Sequence, residues 1–121
     1  MSIILREMEL SDVDRIMEIE KEAFSTPWSR NAFIKEITEN MLAKYIVVEV
    51  EGEVAGYAGI WLIMDEGHIT NIAVGKKYRG QGVGKYLMIG LIDYCKKLGV
   101  PNMTLEVRES NIIAQNLYKM Y

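Results

Sequence analysis

Apolar positions along the chain follow two rhythms, one of about two residues and one of about 3.6, and the changes of rhythm mark the elements. Ile3, Ile4 and Leu5 form a short apolar run that predicts a first strand. Ser11, followed by Asp12, Val13 and Asp14, reads as an N-cap with acids in the opening turn, which the positive end of a helix favours. Val13, Ile16, Ile19, Ala23 and Phe24 then recur at helical spacing, with Leu10 placed to staple the first turn from outside. Pro27 forbids continuation, and Ser29 can cap a second helix that runs to about Asn40 with Phe33, Ile34 and Ile37 on its buried side. Trp28 is left as an exposed aromatic in the linker between the two helices.

Beyond this pair the period shortens. Tyr45 to Val50 and Val54 to Met64 are rich in β-branched and aromatic residues around Glu51-Gly52-Glu53, the pattern of an antiparallel hairpin. Asp65-Glu66-Gly67 predicts a second turn, and His68 to Val74 a returning strand. From Val83 the positions Leu87, Leu91, Tyr94, Cys95 and Leu98 form one helical stripe, stopped by Gly99 and Pro101. A strand from Met103 to Arg108 follows, then a short helix capped by Ser110 or Asn111 and reaching about Tyr118. Joining the strand that ends near Val74 to the one that begins near Met103 through a helix is a crossover, so these two strands must run parallel.

Composition narrows the class. The 121 residues are 50% hydrophobic and 26% charged, which suits one soluble domain, 1–121, with a modest core. A net charge of -3 argues against direct nucleic-acid binding, and no apolar run or leader indicates a membrane partner or secretion, so a cytoplasmic location is expected. One cysteine, Cys95, precludes an internal disulfide, and one histidine, His68, leaves too few soft ligands for zinc, so no metal is expected. Cys95 reads as core packing and His68 as a surface or turn residue; the methionines read as gap fillers or, at Met41 and Met64, loop residues.

The candidate chemistry starts in Ile72 to Leu87, where a strand end passes through a basic turn into alternate glycines and a helix. Gly80, Gly82 and Gly84 can let the backbone aim N–H groups at one point, and the helix start adds its own unpaired N–H groups. Arg79, Lys85, Lys76 and Lys77 would supply mobile positive charge. A P-loop is excluded because Tyr86, not Ser or Thr, follows Lys85, and a dinucleotide fingerprint would need glycine where Lys85 stands. Arg79-Gly80-Gln81-Gly82-Val83-Gly84 instead matches Arg/Gln-x-x-Gly-x-Gly/Ala, and here the chain resembles the GNAT superfamily of acetyltransferases.

Further residues extend the resemblance. Pro27-Trp28-Ser29, Asn71-Ile72-Ala73-Val74, Leu105 to Asn111, and Ala114, Leu117 and Tyr118 resemble the RimI family of bacterial enzymes that acetylate the N-terminal alanine of a ribosomal protein. The resemblance implies a GNAT-like mixed central sheet, antiparallel hairpins plus one splayed parallel pair, with about four flanking helices. It implies acetyl-CoA as co-substrate and a protein N-terminal α-amine as acceptor. Residue by residue it makes Glu106 the general base, through a water, and Tyr118 the acid that protonates the departing thiolate. Ile72, Ala73 and Val74 would polarise the thioester carbonyl through backbone N–H groups. The turn formed by Arg79, Gly80, Gln81, Gly82, Val83, Gly84 and Lys85 would bind pyrophosphate, and Asn111 would contact the cofactor.

The residue types suit those tasks. An α-amine of pKa about 8 and a thiol of about 8.5 each need little help from a nearby base or acid at neutral pH. The two-residue period puts Glu106 with Thr104 and Arg108, away from Met103, Leu105 and Val107, and Asn111 and Tyr118 return to one helical face. Trp28 reads equally as an acceptor contact or a packed loop anchor. Three other readings share the glycine turn: a small-molecule amine acetyltransferase, a non-catalytic acyl-CoA-binding regulatory module, and a nucleotide binder. Family members continue past the position of Tyr121 with a Gly-Phe pair and two strands. The strand carrying Glu106 is therefore expected to be an open edge, a place for self-association.

Overall fold

The two rhythms become one mixed sheet with helices on both faces. A computed structural model of the chain describes residues 3–24, 27–100 and 102–105. In order these are β1 (Ile3–Glu7), a 3-10 turn (Leu10–Asp12), α1 (Val13–Ala23), α2 (Arg30–Glu39), β2 (Ala43–Val50), β3 (Glu53–Ile63), β4 (Glu66–Val74), a second 3-10 turn (Lys76–Tyr78), α3 (Val83–Lys97) and β5 (Asn102–Leu105). The strands lie in the order β1-β2-β3-β4-β5, antiparallel except for the parallel pair β4 and β5 that the crossover through α3 requires. The final helix expected from Ser110 or Asn111 lies outside the described residues.

Local chemistry explains most boundaries. Glu51 and Gly52 link β2 to β3 with φ of 52° and 81°, the positive values that a two-residue hairpin turn demands. The Ser29 side chain accepts from the Ala32 N–H at 3.1 Å and caps α2 as expected. At the end of α3, Gly99 takes φ of 72°, its N–H donates to the Lys96 carbonyl at 3.1 Å, and the Val100 N–H reaches the Cys95 carbonyl at 2.8 Å. That pair of bonds is the Schellman closure a glycine in this position allows.

Several expectations need correction. Ser11 does not cap α1. It sits inside the 3-10 turn, where the Asp12 carboxylate accepts from the Glu9 N–H at 2.8 Å and α1 begins one residue later. The second hairpin turns at Met64 and Asp65, since Ile63 already pairs with Glu66. Met64 holds φ of 54° at the tip and is 95% exposed. His68 lies inside β4, half-buried, with Nε2 3.0 Å from a Glu66 carboxylate oxygen. Leu98 is exposed rather than part of the α3 stripe.

The sheet divides two cores. On one face Ile46, Val48, Ala58, Ile60, Ile69, Ile72 and Val74 pack with Val83, Leu87, Met88, Leu91 and Cys95 of α3. On the other, Tyr45, Val47, Tyr57 and Ala73 meet Ile16 and Ile19 of α1 and Phe33 of α2. Each such aliphatic side chain removed from water contributes about 1.5–3 kcal/mol. No helix among the described residues is long and apolar enough to cross a membrane.

Candidate active site

The stretch after β4 is built by its backbone. The Gly75 N–H donates to the Ala55 carbonyl at 2.7 Å, and one turn of 3-10 helix then leads to Gly80 and Gly82, with φ of +79° and +83°. A side chain in that region costs ~1–2 kcal/mol per residue. A Cβ on either glycine would meet no atom within 4 Å, so conformation and open approach, not crowding, call for glycine here. Gly82 is the N-cap of α3, whose first bond runs from the Tyr86 N–H to the Gly82 carbonyl at 3.1 Å. Val83, Gly84 and Lys85 precede that bond, so the helix offers their N–H groups no carbonyl and adds its positive end. With Val74 and Tyr78 the turn borders a pocket of about 350 Å³. Gly56 of β3 lets α3 start this close to the sheet: a Cβ there would stand 3.1 Å from both Val83 Cγ1 and Leu87 Cδ1.

The side chains of the turn mostly hold the turn. Arg79 was expected as mobile charge, but its Nε donates to the Val74 carbonyl at 3.2 Å and its Nη2 to the Glu22 carbonyl at 3.4 Å. Two strand-end and helix-end carbonyls need donors, and the guanidinium supplies them. Gln81 Nε2 donates to the Lys77 carbonyl at 3.1 Å, and Lys77 Nζ lies 3.5 Å from Glu53. Lys85 is exposed and has no ion pair among the described residues. The Tyr78 hydroxyl donates to the Glu53 carboxylate at 2.6 Å, which lifts the Tyr78 pKa and holds that of Glu53 below the usual carboxylate range.

Ile72, Ala73 and Val74 are at most 3% exposed, with their side chains committed to the two cores, so the main chain is what they can offer a ligand. Among the described residues the β4–β5 ladder covers Glu66 to Ile69 against Asn102 to Leu105. Gly59 pairs with Asn71 but Ile60 with Ile69, so Thr70 is an extra residue in β4, a bulge directly after the last pair of described residues in that ladder. Beyond it β4 continues to Val74 and the glycine turn. The carboxyl end of a parallel pair is where open α/β sheets place ligands.

On the opposite face the strand end meets buried polar groups. Glu36 of α2 accepts from the Tyr45 hydroxyl at 2.9 Å, Trp61 Nε1 at 2.6 Å and Asn40 Nδ2 at 3.0 Å, and Asn71 Nδ2 donates to the Tyr45 oxygen at 3.0 Å. Burial, then the Glu36 charge, pushes the Tyr45 hydroxyl pKa well above its usual range. Glu20 of α1, fully buried, accepts from the Tyr57 hydroxyl and from the Trp28 N–H at 2.9 Å. Trp28 is therefore an anchored, half-buried residue, its ring centroid 5.4 Å from that of Phe33, and not the exposed linker aromatic expected from sequence.

Residues 13–120 match the profile of the Acetyltransferase (GNAT) family. The chain belongs to that family. Across 117 residues it is 44% identical to a protein of Bacillus subtilis (strain 168) named putative [ribosomal protein bS18]-alanine N-acetyltransferase, covering 97% of this chain and 78% of that one. Its fold is similar to the crystal structure of the ribosomal-protein-S18-alanine N-acetyltransferase from Escherichia coli, with a TM-score of 0.86, 32% identity, and coverage of 98% and 76%. An N-acetyltransferase from Thermoplasma acidophilum in complex with coenzyme A shares the fold alone, with a TM-score of 0.78 at 16% identity over 99% of this chain and 88% of that one. GNAT acetyltransferases use acetyl-CoA, so the cofactor class expected from the glycine turn agrees with the family.

Within this GNAT domain the structure brings Ile72, Ala73, Val74, Arg79, Gly80, Gln81, Gly82, Val83, Gly84 and Lys85 together at one end of β4. Glu106, Asn111 and Tyr118 lie outside the described residues. Sequence reasoning missed Glu20 and Glu36. The signal was present, since Glu20 stands four residues after Ile16 and Glu36 three after Phe33, each on the buried stripe of its own helix. No group of three or more His, Cys, Asp or Glu that could hold a metal occurs among the described residues.

Proposed function

We propose that this chain is one cytoplasmic N-acetyltransferase domain, residues 1–121, that moves the acetyl group of acetyl-CoA to a protein N-terminal α-amine, that of alanine in a ribosomal protein. The observation that carries the reading is the junction of β4 with α3. β4, paired in parallel with β5 over its first residues, continues to Val74 and leads into Gly80 and Gly82 with positive φ and the open first turn of a helix. The fit to the cofactor rests on the same residues. N–H groups of Gly82 to Lys85 suit a pyrophosphate, with Lys85 as the free charge and Arg79 as the brace that keeps the turn in shape. The names of the relatives support the acceptor class over a small-molecule amine.

In this reading Glu106 takes the proton from the acceptor amine through a water, and Tyr118 gives a proton to the leaving sulfur. The N–C bond forms as the C–S bond breaks, and both partners are bound at once, with no acyl group resting on Cys95. That thiol is buried beside Gly67, and burial raises its pKa, the opposite of what a nucleophile needs. Main-chain groups at Ile72 to Val74 steady the carbonyl oxygen, and Asn111 adds a cofactor contact. Calorimetric titration of the folded chain with acetyl-CoA should give saturable one-to-one binding. Glu106→Gln and Tyr118→Phe should retain that binding and lower turnover on an alanine-ended peptide by about 10²-fold or more. A folded chain that does not bind acetyl-CoA sinks the reading.

A further inference from the structure

We propose that the pocket of about 560 Å³ between Trp28 and α2 is a subsite for a Lys or Arg side chain close to the N-terminus of the acceptor peptide, an inference that rests on the acceptor reading above. Glu36 is its centre. The residue is only 9% exposed, lines this pocket, and draws its three hydrogen bonds from neutral donors, Tyr45, Trp61 and Asn40. No Lys, Arg or His among the described residues forms an ion pair with it. Asp12, equally withdrawn from water, is held by the Arg6 guanidinium through two contacts of 2.8 Å. A carboxylate taken out of water without a cation is a costly arrangement that an incoming cation relieves.

The walls fit the rest of such a side chain. Trp28 and Ala32 give an apolar surface for methylenes and a ring face for a cation, Glu39 adds a second carboxylate, and Lys35 stands exposed at the rim. The place is right as well. Glu36 is two hydrogen bonds from Asn71, through Tyr45, and Asn71 immediately precedes Ile72 at the end of β4. A peptide whose first residue reaches that strand end has its next few residues within reach of the pocket.

The test uses the full chain, acetyl-CoA, and uncharged peptides that begin with alanine, with one arginine moved through the second to fifth positions and citrulline as its neutral isostere. One arginine position should raise kcat/KM roughly tenfold over its citrulline counterpart, chiefly through KM, and Glu36→Gln should abolish most of that ratio. Equal rates for arginine and citrulline at every position would overturn the subsite and leave the transferase reading standing, as would a Glu36→Gln chain that keeps the ratio. If no peptide is acetylated, calorimetry with the same pairs decides. Binding that needs arginine supports the subsite against a failed transferase reading, and its absence overturns both. The arginine-to-citrulline contrast is read on the unaltered chain, so it does not depend on the variant folding.

Discussion

The face of the sheet under α3 and the face under α1 and α2 use the same strands but bury different chemistry. Under α3 the contacts are aliphatic, with Leu87, Met88 and Leu91 of the helix against Ile60, Ile69, Ile72 and Val74 of the sheet. Under α1 and α2 four rings and two buried carboxylates meet: Trp28, Phe33, Tyr45 and Tyr57 around Glu20 and Glu36. The difference matches the tasks proposed for the two sides. A helix that offers its N-terminal N–H groups to a constant cofactor needs only a rigid bed, and close apolar packing gives that. A surface that recognises one acceptor among many needs polar groups withdrawn from water, where they discriminate strongly.

The contrast breaks most readily on the apolar side. Leu87→Ala removes a fully buried side chain beneath the glycine turn and should cost about 3 kcal/mol, read as a lower denaturant midpoint, with weaker acetyl-CoA binding as the start of α3 loosens. A smaller loss is expected across the sheet. Tyr57→Phe keeps the ring, its edge contact with Phe33 and its packing, and deletes one donor to the buried Glu20, so about 2 kcal/mol should be lost. Because Glu20 also holds the Trp28 N–H, this variant should raise KM for the peptide more than for acetyl-CoA. The reverse split, with cofactor binding hurt more by Tyr57→Phe than by Leu87→Ala, would refute the division of labour.

How far each side could be read from sequence follows from the same contrast. The α3 side depends on local patterns: alternation in Tyr45 to Val50, the stripe Val83, Leu87, Leu91 and Cys95, and glycines that only a positive φ explains at positions 80, 82 and 99. These are legible because each residue type answers a constraint set by its near neighbours. Glu36 is different. Its place on the α2 stripe is local, but its donors are not. Beside Asn40, which closes its own helix, they come from Tyr45 and Trp61 on separate strands, nine and 25 residues away, so the sequence near it does not show what satisfies the carboxylate. The Thr70 bulge is equally non-local, since it exists only as a mismatch of register between β3 and β4. Arg79 was read as a free charge because its two acceptors, the carbonyls of Val74 and Glu22, become neighbours only when α1 docks on the sheet. Glu106, Asn111 and Tyr118 rest on the family resemblance, and substitution at those positions is their test.

Acid should separate the two faces with the smallest effect of the three. Arg6 of β1 bridges the carboxylates of Asp12, at 2.8 Å, and Glu49, at 2.6 Å, and thereby fixes the start of α1 to the sheet. The guanidinium holds the Asp12 carboxyl below its usual range, so the fold binds that proton less readily than the unfolded chain. Its stabilisation is complete above the ordinary carboxylate range, shrinks as the pH falls through that range, and is gone once the lowered value is passed. At neutral pH it should amount to about 1–2 kcal/mol. On the α3 face the buried Cys95 thiol and the Tyr78 hydroxyl both have raised pKa values and stay neutral throughout acid conditions. The carboxylate that accepts from Tyr78, Glu53, has its pKa lowered like Asp12 but is partly exposed and shared with Arg15 of α1, so its loss in acid adds to the α1 side rather than to α3 alone. Hydrogen exchange at pH 3 against pH 6 should therefore show α1 amides losing protection before those of α3. Asp12→Asn, which cannot titrate, should already be weakened at pH 6 and should lose the α1-specific part of the drop. If α1 and α3 lose protection together in both chains, the acid sensitivity belongs to the whole sheet and the two faces are not independent.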